Sequence, residues 1–379
     1  MATSWRRRLI KWGLILLVVL GAIGYGLYWL AHNWDPARVI YKRWQAESPY
    51  TFDEIPPWMQ EVDAASLIFA RDAAAIDALR LRVQGAVYGE PGLPDRTPMV
   101  EALLPEPVRG LTGLPRLALV ERMEVPFEFD YAATPYHLRP EDWNGQTVIY
   151  NHGYAGDIGQ ASPLIAGLME AGFAVVAIHF LGYGETPLDN VYDPRFGPMT
   201  YSNDNILRFG RNGLRYYIDP AISVVNHVVA NLGQDRVAMI GFSAGGWVTT
   251  VAAAMDTRID LSISIAGLYP MYVRESTIHG NEAPPPHFDP RLLESTNYLD
   301  MFVGAASGDG RRYVQIFNQY DRCCYRNRFG ELYEGAVQDA VRTVGPGAFD
   351  VMIDTSHADH KISDWAIARI LELLGGDGG

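Results

Sequence analysis

The sequence predicts an α/β fold, a mostly parallel β-sheet covered by helices on both faces, set behind one N-terminal transmembrane helix. Three observations carry this. From Leu117 onward, short apolar runs alternate with helix-like segments, the pattern of a parallel sheet with helical crossovers. Within that pattern Val237 to Ile240 is a buried strand that stops at Gly241-Phe-Ser-Ala-Gly245 and turns at once into a helix. Ahead of it all, Trp12 to Leu30 is uncharged, and its 19 residues would span about 28 Å as a helix, close to the thickness of a bilayer's hydrocarbon core.

The N-terminal segment, residues 1–34, also has an orientation. Arg6, Arg7, Arg8 and Lys11 precede the apolar run, no acid accompanies them, and Trp12, Tyr28 and Trp29 mark its two ends. Positive charge stays on the cytoplasmic side, so the N-terminus is expected inside and the rest of the chain on the extracytoplasmic side, periplasmic in a bacterium. The competing reading is a cleaved signal peptide, but the run is long and no A-x-A site follows it, so a retained anchor is expected. The basic cluster is also similar to a twin-arginine export signal; flanking charge explains the same residues without one.

Composition narrows the rest. Hydrophobic residues make up 48% and charged residues 20%, which describes an ordinary globular protein. The formal charge of -13 becomes -17 once the four N-terminal cations are set aside, so no nucleic-acid partner is expected. Two adjacent cysteines, Cys323 and Cys324, supply neither a disulfide framework nor a cysteine-built zinc site, and reduced thiols are the expectation.

Between the anchor and Arg116, residues 35–116 read as an extension. Val62 to Arg82 fits one or two amphipathic helices, with Leu67, Ile68, Ala75, Ile76 and Leu79 on the apolar face. Gly85 to Gly113, rich in Pro and Gly, reads as loop. From residue 117 to 379 the elements follow in order. Leu117 to Glu124 and Phe127 to Phe129 suggest early antiparallel strands; Thr147 to Tyr150 and Phe173 to His179 are buried strands flanking a helix from Ser162 to Ala171. Asp219 and Pro220 have the form of an N-cap and first position for a helix from Ala221 to Leu232. Leu261 to Ile265, Tyr313 to Phe317 and Phe349 to Ile353 complete the strands, and Ser363 to Leu374 is the closing helix. Two stretches, at about 187–217 and 267–312, are aromatic insertions suited to lids over the strand ends; Tyr269, Tyr272 and His287 lie in the second. Tyr216 and Tyr217 are expected to pack at a helix start. No internal repeat of fixed period is present.

Ligands of such sheets bind at the carboxyl ends of the strands, where the residues that could do chemistry also lie. Ser243 is held on the corner of the strand–turn–helix. A serine hydroxyl is a poor nucleophile without a base, an acid to orient the base and donors for an oxyanion. Asp321, just past the strand Tyr313 to Phe317, is the candidate acid. His360 and His357 both follow the last strand; His360, close before the N-cap Ser363, is preferred as the base, with His357 the alternative. The backbone N–H groups of Ala244 and Tyr154 are the candidate oxyanion donors, with Gly153 permitting close approach and His152 stabilising the loop. A metal held by the two histidines and Asp359 is the weaker reading, and neither metal nor cofactor is expected.

The order Ser243, Asp321, His360, with His152-Gly153, Phe180-Leu-Gly-Tyr-Gly-Glu-Thr186 and Gly241-Phe-Ser-Ala-Gly245, resembles the α/β-hydrolase superfamily over roughly Leu117 to Leu374. The resemblance implies an eight-stranded, mostly parallel sheet and acyl transfer through a covalent serine ester. It departs at His179 and Phe180, where many relatives carry an aspartate. The expected activity is hydrolysis of carboxylic esters on a small-molecule acyl substrate, apolar in part. A serine peptidase or an acyltransferase would use the same three residues, and a non-catalytic binding protein of the same fold is the rival of another class.

Overall fold

The computed structural model describes residues 2–375, except 45–51, 104–107, 109, 112, 129–130, 155, 185–187, 189–190, 203–204, 210–211, 275–284 and 322. The predicted positions Phe129, Glu185, Thr186 and Pro187 and residues 275–284 of the second insertion therefore lie outside the described residues.

The chain builds β1 (Met99–Leu103), β2 (Leu117–Pro126), β3 (Ala132–Ala133), β4 (Tyr136–Pro140), β5 (Thr147–Asn151), β6 (Ala174–Ile178), β7 (Val191–Asp193), β8 (Gly197–Met199), β9 (Val237–Phe242), β10 (Ile259–Ile265), β11 (Arg312–Asn318) and β12 (Ala348–Asp354). The main sheet runs β1-β2-β4-β6-β5-β9-β10-β11-β12, with β3 paired to β2. β1, β2, β4 and β6 pair antiparallel to one another in turn, and from β6 to β12 every pairing is parallel. The mostly parallel α/β sheet is thus present. It is larger than eight strands because the Pro- and Gly-rich stretch expected as loop contributes the edge strand β1, and β3 adds a short pairing.

Alternation along the parallel strands sorts side chains between two layers. Val148 and Tyr150 face one side with the helices Ser162–Glu170 and Asp364–Gly375, burying Leu164, Leu168 and Ile370. Ile149 and Met239 face the other side, under the helices Arg215–Ala230, Ala244–Met255, Tyr298–Ala306 and Glu334–Val344. The helix Ala73–Tyr88, capped by Asp72, packs Ile76, Leu79, Val83 and Val87 into that same layer. Within the stretch 267–312, the helix Tyr298–Ala306 is wholly buried against Ala244–Met255, so this part belongs to the core layer.

Two predicted element starts move. Of the strand expected at Phe127 to Phe129, Phe127 lies outside any strand and packs on Tyr131 and Tyr216, and the chain pairs antiparallel to β2 further on, as β3 and β4. The helix expected to begin at Asp219-Pro220 begins at Arg215, with Pro220 inside it. Asp219 is no N-cap; its buried carboxylate accepts a hydrogen bond from the Arg96 guanidinium, and tertiary pairing overrides the local start signal. Tyr216 and Tyr217 pack inside that helix against Phe127 and Trp247.

At the N-terminus the helix Ala2–Asn33 contains the segment Ile10–Asn33, which has a mean hydropathy of 2.2 and is long and apolar enough to cross a membrane. A second helix, Asp35–Trp44, follows at once.

Candidate active site

Register places the pieces of the site. β5 pairs with β9 so that Asn151 stands opposite Gly241, and the loop after β5 therefore meets the turn after β9. β11 pairs with β12 so that Asn318 stands opposite Asp354, and the acid loop meets the histidine loop. All four loops leave the carboxyl ends of the parallel strands.

Ser243 lies between β9 and the helix Ala244–Met255 with φ 52° and ψ -126°. A side chain at positive φ costs on the order of 1–3 kcal/mol, and it persists because the surroundings hold it. Ser243 N–H donates to the Ile265 carbonyl at 2.8 Å, which ties the turn to β10. Gly245 presses on the end of β5: a Cβ there would stand 2.1 Å from the Asn151 carbonyl oxygen and 2.6 Å from that of His152. Gly153 approaches from the other side, where a Cβ would lie 2.8 Å from Ser243 Cβ. The serine is thus clasped between two backbones at glycines.

Asp321 is fully buried three residues past β11. Its Oδ1 accepts the N–H of Cys323 at 2.7 Å, and its Oδ2 is 2.5 Å from His360 Nδ1. The His360 ring lies over Phe242, centroids 4.6 Å apart, beside the nucleophile candidate. Asp321 and His360 are therefore joined directly. Among the described residues no hydrogen bond links Ser243 Oγ to His360; the imidazole rests on Phe242, the residue before the serine. In free enzymes such contacts are commonly long and tighten with substrate.

His357 takes a different part. It is fully buried, 3.2 Å from the Asp354 carboxylate through Nε2, and its Nδ1 accepts the Asp359 N–H at 3.2 Å. Asp354 also accepts from the Ser363 hydroxyl and the Ser356 N–H, and Ser363 caps the last helix as expected by accepting from Ala366 N–H. The two histidines thus face two different carboxylates, one at the site and one inside the loop. Burial would raise the Asp354 pKa, but hydrogen bonds from His357, Ser363 and Ser356 outweigh it and hold the group at about 2, below its usual 3.8. A carboxylate depressed in the folded state contributes stability that is complete above the unfolded pKa and is lost as pH falls through the folded one. Between about pH 4 and about pH 2, the Tm of the native chain should therefore fall more steeply than that of Asp354→Asn, measured as melting curves against pH; parallel curves would remove the loop from the acid response.

The oxyanion candidates sit where the two glycines bring them. Ala244 is the first residue of the elbow helix, so its N–H has no intrahelical acceptor, and the helix dipole adds positive potential there. Among the described residues no hydrogen bond occupies the N–H of Tyr154 either. The Tyr154 ring, 43% exposed, packs edge-on against Tyr183 and Phe180 at 5.2 and 5.9 Å. Behind it His152 shares a 2.7 Å hydrogen bond with the Tyr150 hydroxyl, and burial lowers its pKa to about 4, so it stays neutral and braces the loop. His179, at the place of the missing aspartate, accepts the Ile158 N–H at 3.3 Å.

Cys323 and Cys324 are joined as a disulfide, which corrects the expectation of reduced thiols. The turn that offers the Cys323 N–H to Asp321 brings both sulfur atoms within 4.8 Å of a His360 ring nitrogen. Sequence reading missed this contribution; the signal was an aspartate two residues before an N–H it could accept, the Asx-turn pattern. It also missed Phe242 as the surface on which His360 rests. A cleft of about 640 Å³ is lined by Thr147, Phe173, Ala238 and Arg312 at the opposite, amino ends of the strands, away from Ser243.

Comparison with known proteins bears on the fold. No curated protein sequence matches the chain. Among solved structures, an acetyl xylan esterase from a Paenibacillus species is similar at 16% identity with a TM-score of 0.54, covering 85% of this chain and 99% of that one. Acetyl xylan esterase 1 from a Thermoanaerobacterium species is similar at 13% identity and TM-score 0.55, with the same coverage. A glucuronoyl esterase from Solibacter usitatus is similar at 13% identity and TM-score 0.55, covering 81% of this chain and 94% of that one. At such identities the likeness is one of fold. The family described as alpha/beta hydrolase fold matches residues 146–344, more than half of the 379, from β5 to the helix before β12. By that match and by its sheet order, the chain belongs to the α/β-hydrolase fold family.

Proposed function

We propose that the chain is a membrane-anchored serine hydrolase that cleaves carboxylic esters. The observation that carries the reading is the Asp321–His360 pair beside a serine held at positive φ between two glycine contacts. In this reading Ser243 Oγ attacks the acyl carbon while His360 Nε2 takes its proton. The imidazolium keeps its Nδ1–H on Asp321 Oδ2, and the buried carboxylate stabilises the charge without accepting the proton. The oxyanion accepts from the N–H groups of Ala244 and Tyr154. His360 returns the proton to the leaving alcohol, and water, deprotonated by the same nitrogen, releases the acid from the acyl-enzyme.

Esters are preferred to amides because the similar structures named above are esterases. The apolar segment Ile10–Asn33 supports retention at a membrane, and the N-terminal cations support the cytoplasmic placement of the N-terminus. The test is covalent labelling by a fluorophosphonate. The native chain is expected to label and to hydrolyse a short acetate ester, and Ser243→Ala to lose both while melting at the native temperature. A folded native chain that takes no label would sink the reading.

A further inference from the structure

The helix Asp35–Trp44 has two faces with different partners. Its inner face grips the loop that carries His360: Arg38 pairs with Asp359 at 2.7 Å, and Lys361 donates to Asp35 at 3.1 Å, so both neighbours of His360 are tied to this helix. Val39 packs between them with Phe52, Tyr320 and Ala358. Arg38 also donates to the His32 carbonyl at 2.9 Å, joining the loop to the end of the preceding helix. Among the described side chains, apolar groups stand exposed on the outer face. Ile40 is 69% exposed and Trp44 82%, one turn apart on one side, and Trp34 just before the helix is 53% exposed.

What covers that face follows from the chain itself. Trp34 N–H donates to Leu30 and Arg38 N–H to Trp34, so Trp34 alone separates the apolar segment Ile10–Asn33 from this helix and hydrogen-bonds to both. Where an apolar segment of 24 residues ends, a bilayer surface begins. Tryptophan and isoleucine on one face of a short amphipathic helix suit the headgroup boundary. A helix is about 10–12 Å across, so the His360 loop on its other face lies within that distance of the surface.

We propose that Asp35–Trp44 is an interfacial helix, seated in the lipid headgroup layer by Trp34, Ile40 and Trp44, which holds the His360 loop at the membrane so that the site takes esters carried in that layer. The substrate part rests on the ester-hydrolase reading above; the seating of the helix does not.

The test uses the full chain in phosphatidylcholine vesicles. A bimane label at Ile40→Cys should be quenched by brominated acyl chains, as should one at Leu17→Cys within the apolar segment, whereas one at the exposed Arg342→Cys should not. Quenching at position 17 but not 40 would place the helix off the membrane and overturn the proposal; no quenching at either would remove its foundation. In a second arm, the double variant Ile40→Ser with Trp44→Ser should hydrolyse a long-chain ester embedded in the vesicles about tenfold more slowly than the native chain, and a soluble acetate ester at the native rate. Equal loss on both esters, or on neither, would overturn the substrate part. A native chain that hydrolyses neither would defeat the ester reading itself, while the quenching result would stand separately.

Discussion

His360→Ala should lower kcat for a soluble acetate ester by about 10⁴-fold or more, and His357→Ala should leave it within a few-fold. The contrast follows from what each ring touches. His360 bonds the buried Asp321 and lies over Phe242 next to Ser243. His357 lies 3.2 Å from the Asp354 carboxylate and accepts the Asp359 N–H inside the loop. Removing His357 should instead cost about 2 kcal/mol of stability, because a buried carboxylate loses one of its charge-assisted partners. Steady-state kinetics and melting curves on both variants separate the effects. If His357→Ala abolishes turnover at native stability while His360→Ala remains active, the base has been assigned to the wrong ring.

Gly245→Ala should be among the most damaging single-methyl additions in the chain. The new Cβ would meet the carbonyl oxygens of Asn151 and His152 at 2.1 and 2.6 Å, and neither is the mobile tip of a side chain. Relief requires that the elbow helix lift from the end of β5 or that the His152 loop retreat. Either movement separates the N–H of Ala244 from that of Tyr154. We expect a loss of roughly 3 kcal/mol or more in unfolding free energy. In the fraction that folds, kcat should fall about 10²- to 10³-fold, the scale of losing an oxyanion donor. Thermal unfolding and turnover of the purified variant measure both. Native melting together with native turnover would show that the clasp around Ser243 is not as tight as the contacts require.

Both predictions rest on positions that were visible in the sequence, but to different degrees. Gly241-Phe-Ser-Ala-Gly245 at the end of an apolar run implied a strand, a turn and a helix, because tight turns with backbone on both sides need residues without Cβ. Asp321 and the two histidines were visible as polar residues just past β11 and β12. The choice between the histidines was not, since His357 and His360 are three residues apart in one loop and their directions depend on Asp354 and Asp321, which come from different strands. The edge strand β1 was hidden for a related reason: Met99–Leu103 is short and lies in a Pro- and Gly-rich stretch, and only pairing with β2 makes it a strand. The helix Arg215–Ala230 hid its start because Pro220 imitates a first helical position, while the Arg96–Asp219 pair comes from a distant part of the chain.

By itself the sequence determined the buried strands β5, β6, β9, β10, β11 and β12, the apolar N-terminal span and the corner that displays Ser243, all of which are local patterns of apolar spacing and glycine placement. Only the tertiary structure decided which histidine meets Asp321, that Cys323 and Cys324 are paired beside it, and that the helix after the apolar span grips the His360 loop. The first and last of these depend on contacts between segments tens to hundreds of residues apart, and a side chain's partner across such a distance is set by packing and register, which no local pattern encodes; the cysteine pair is local, and it depends on the turn in which Asp321 accepts the Cys323 N–H.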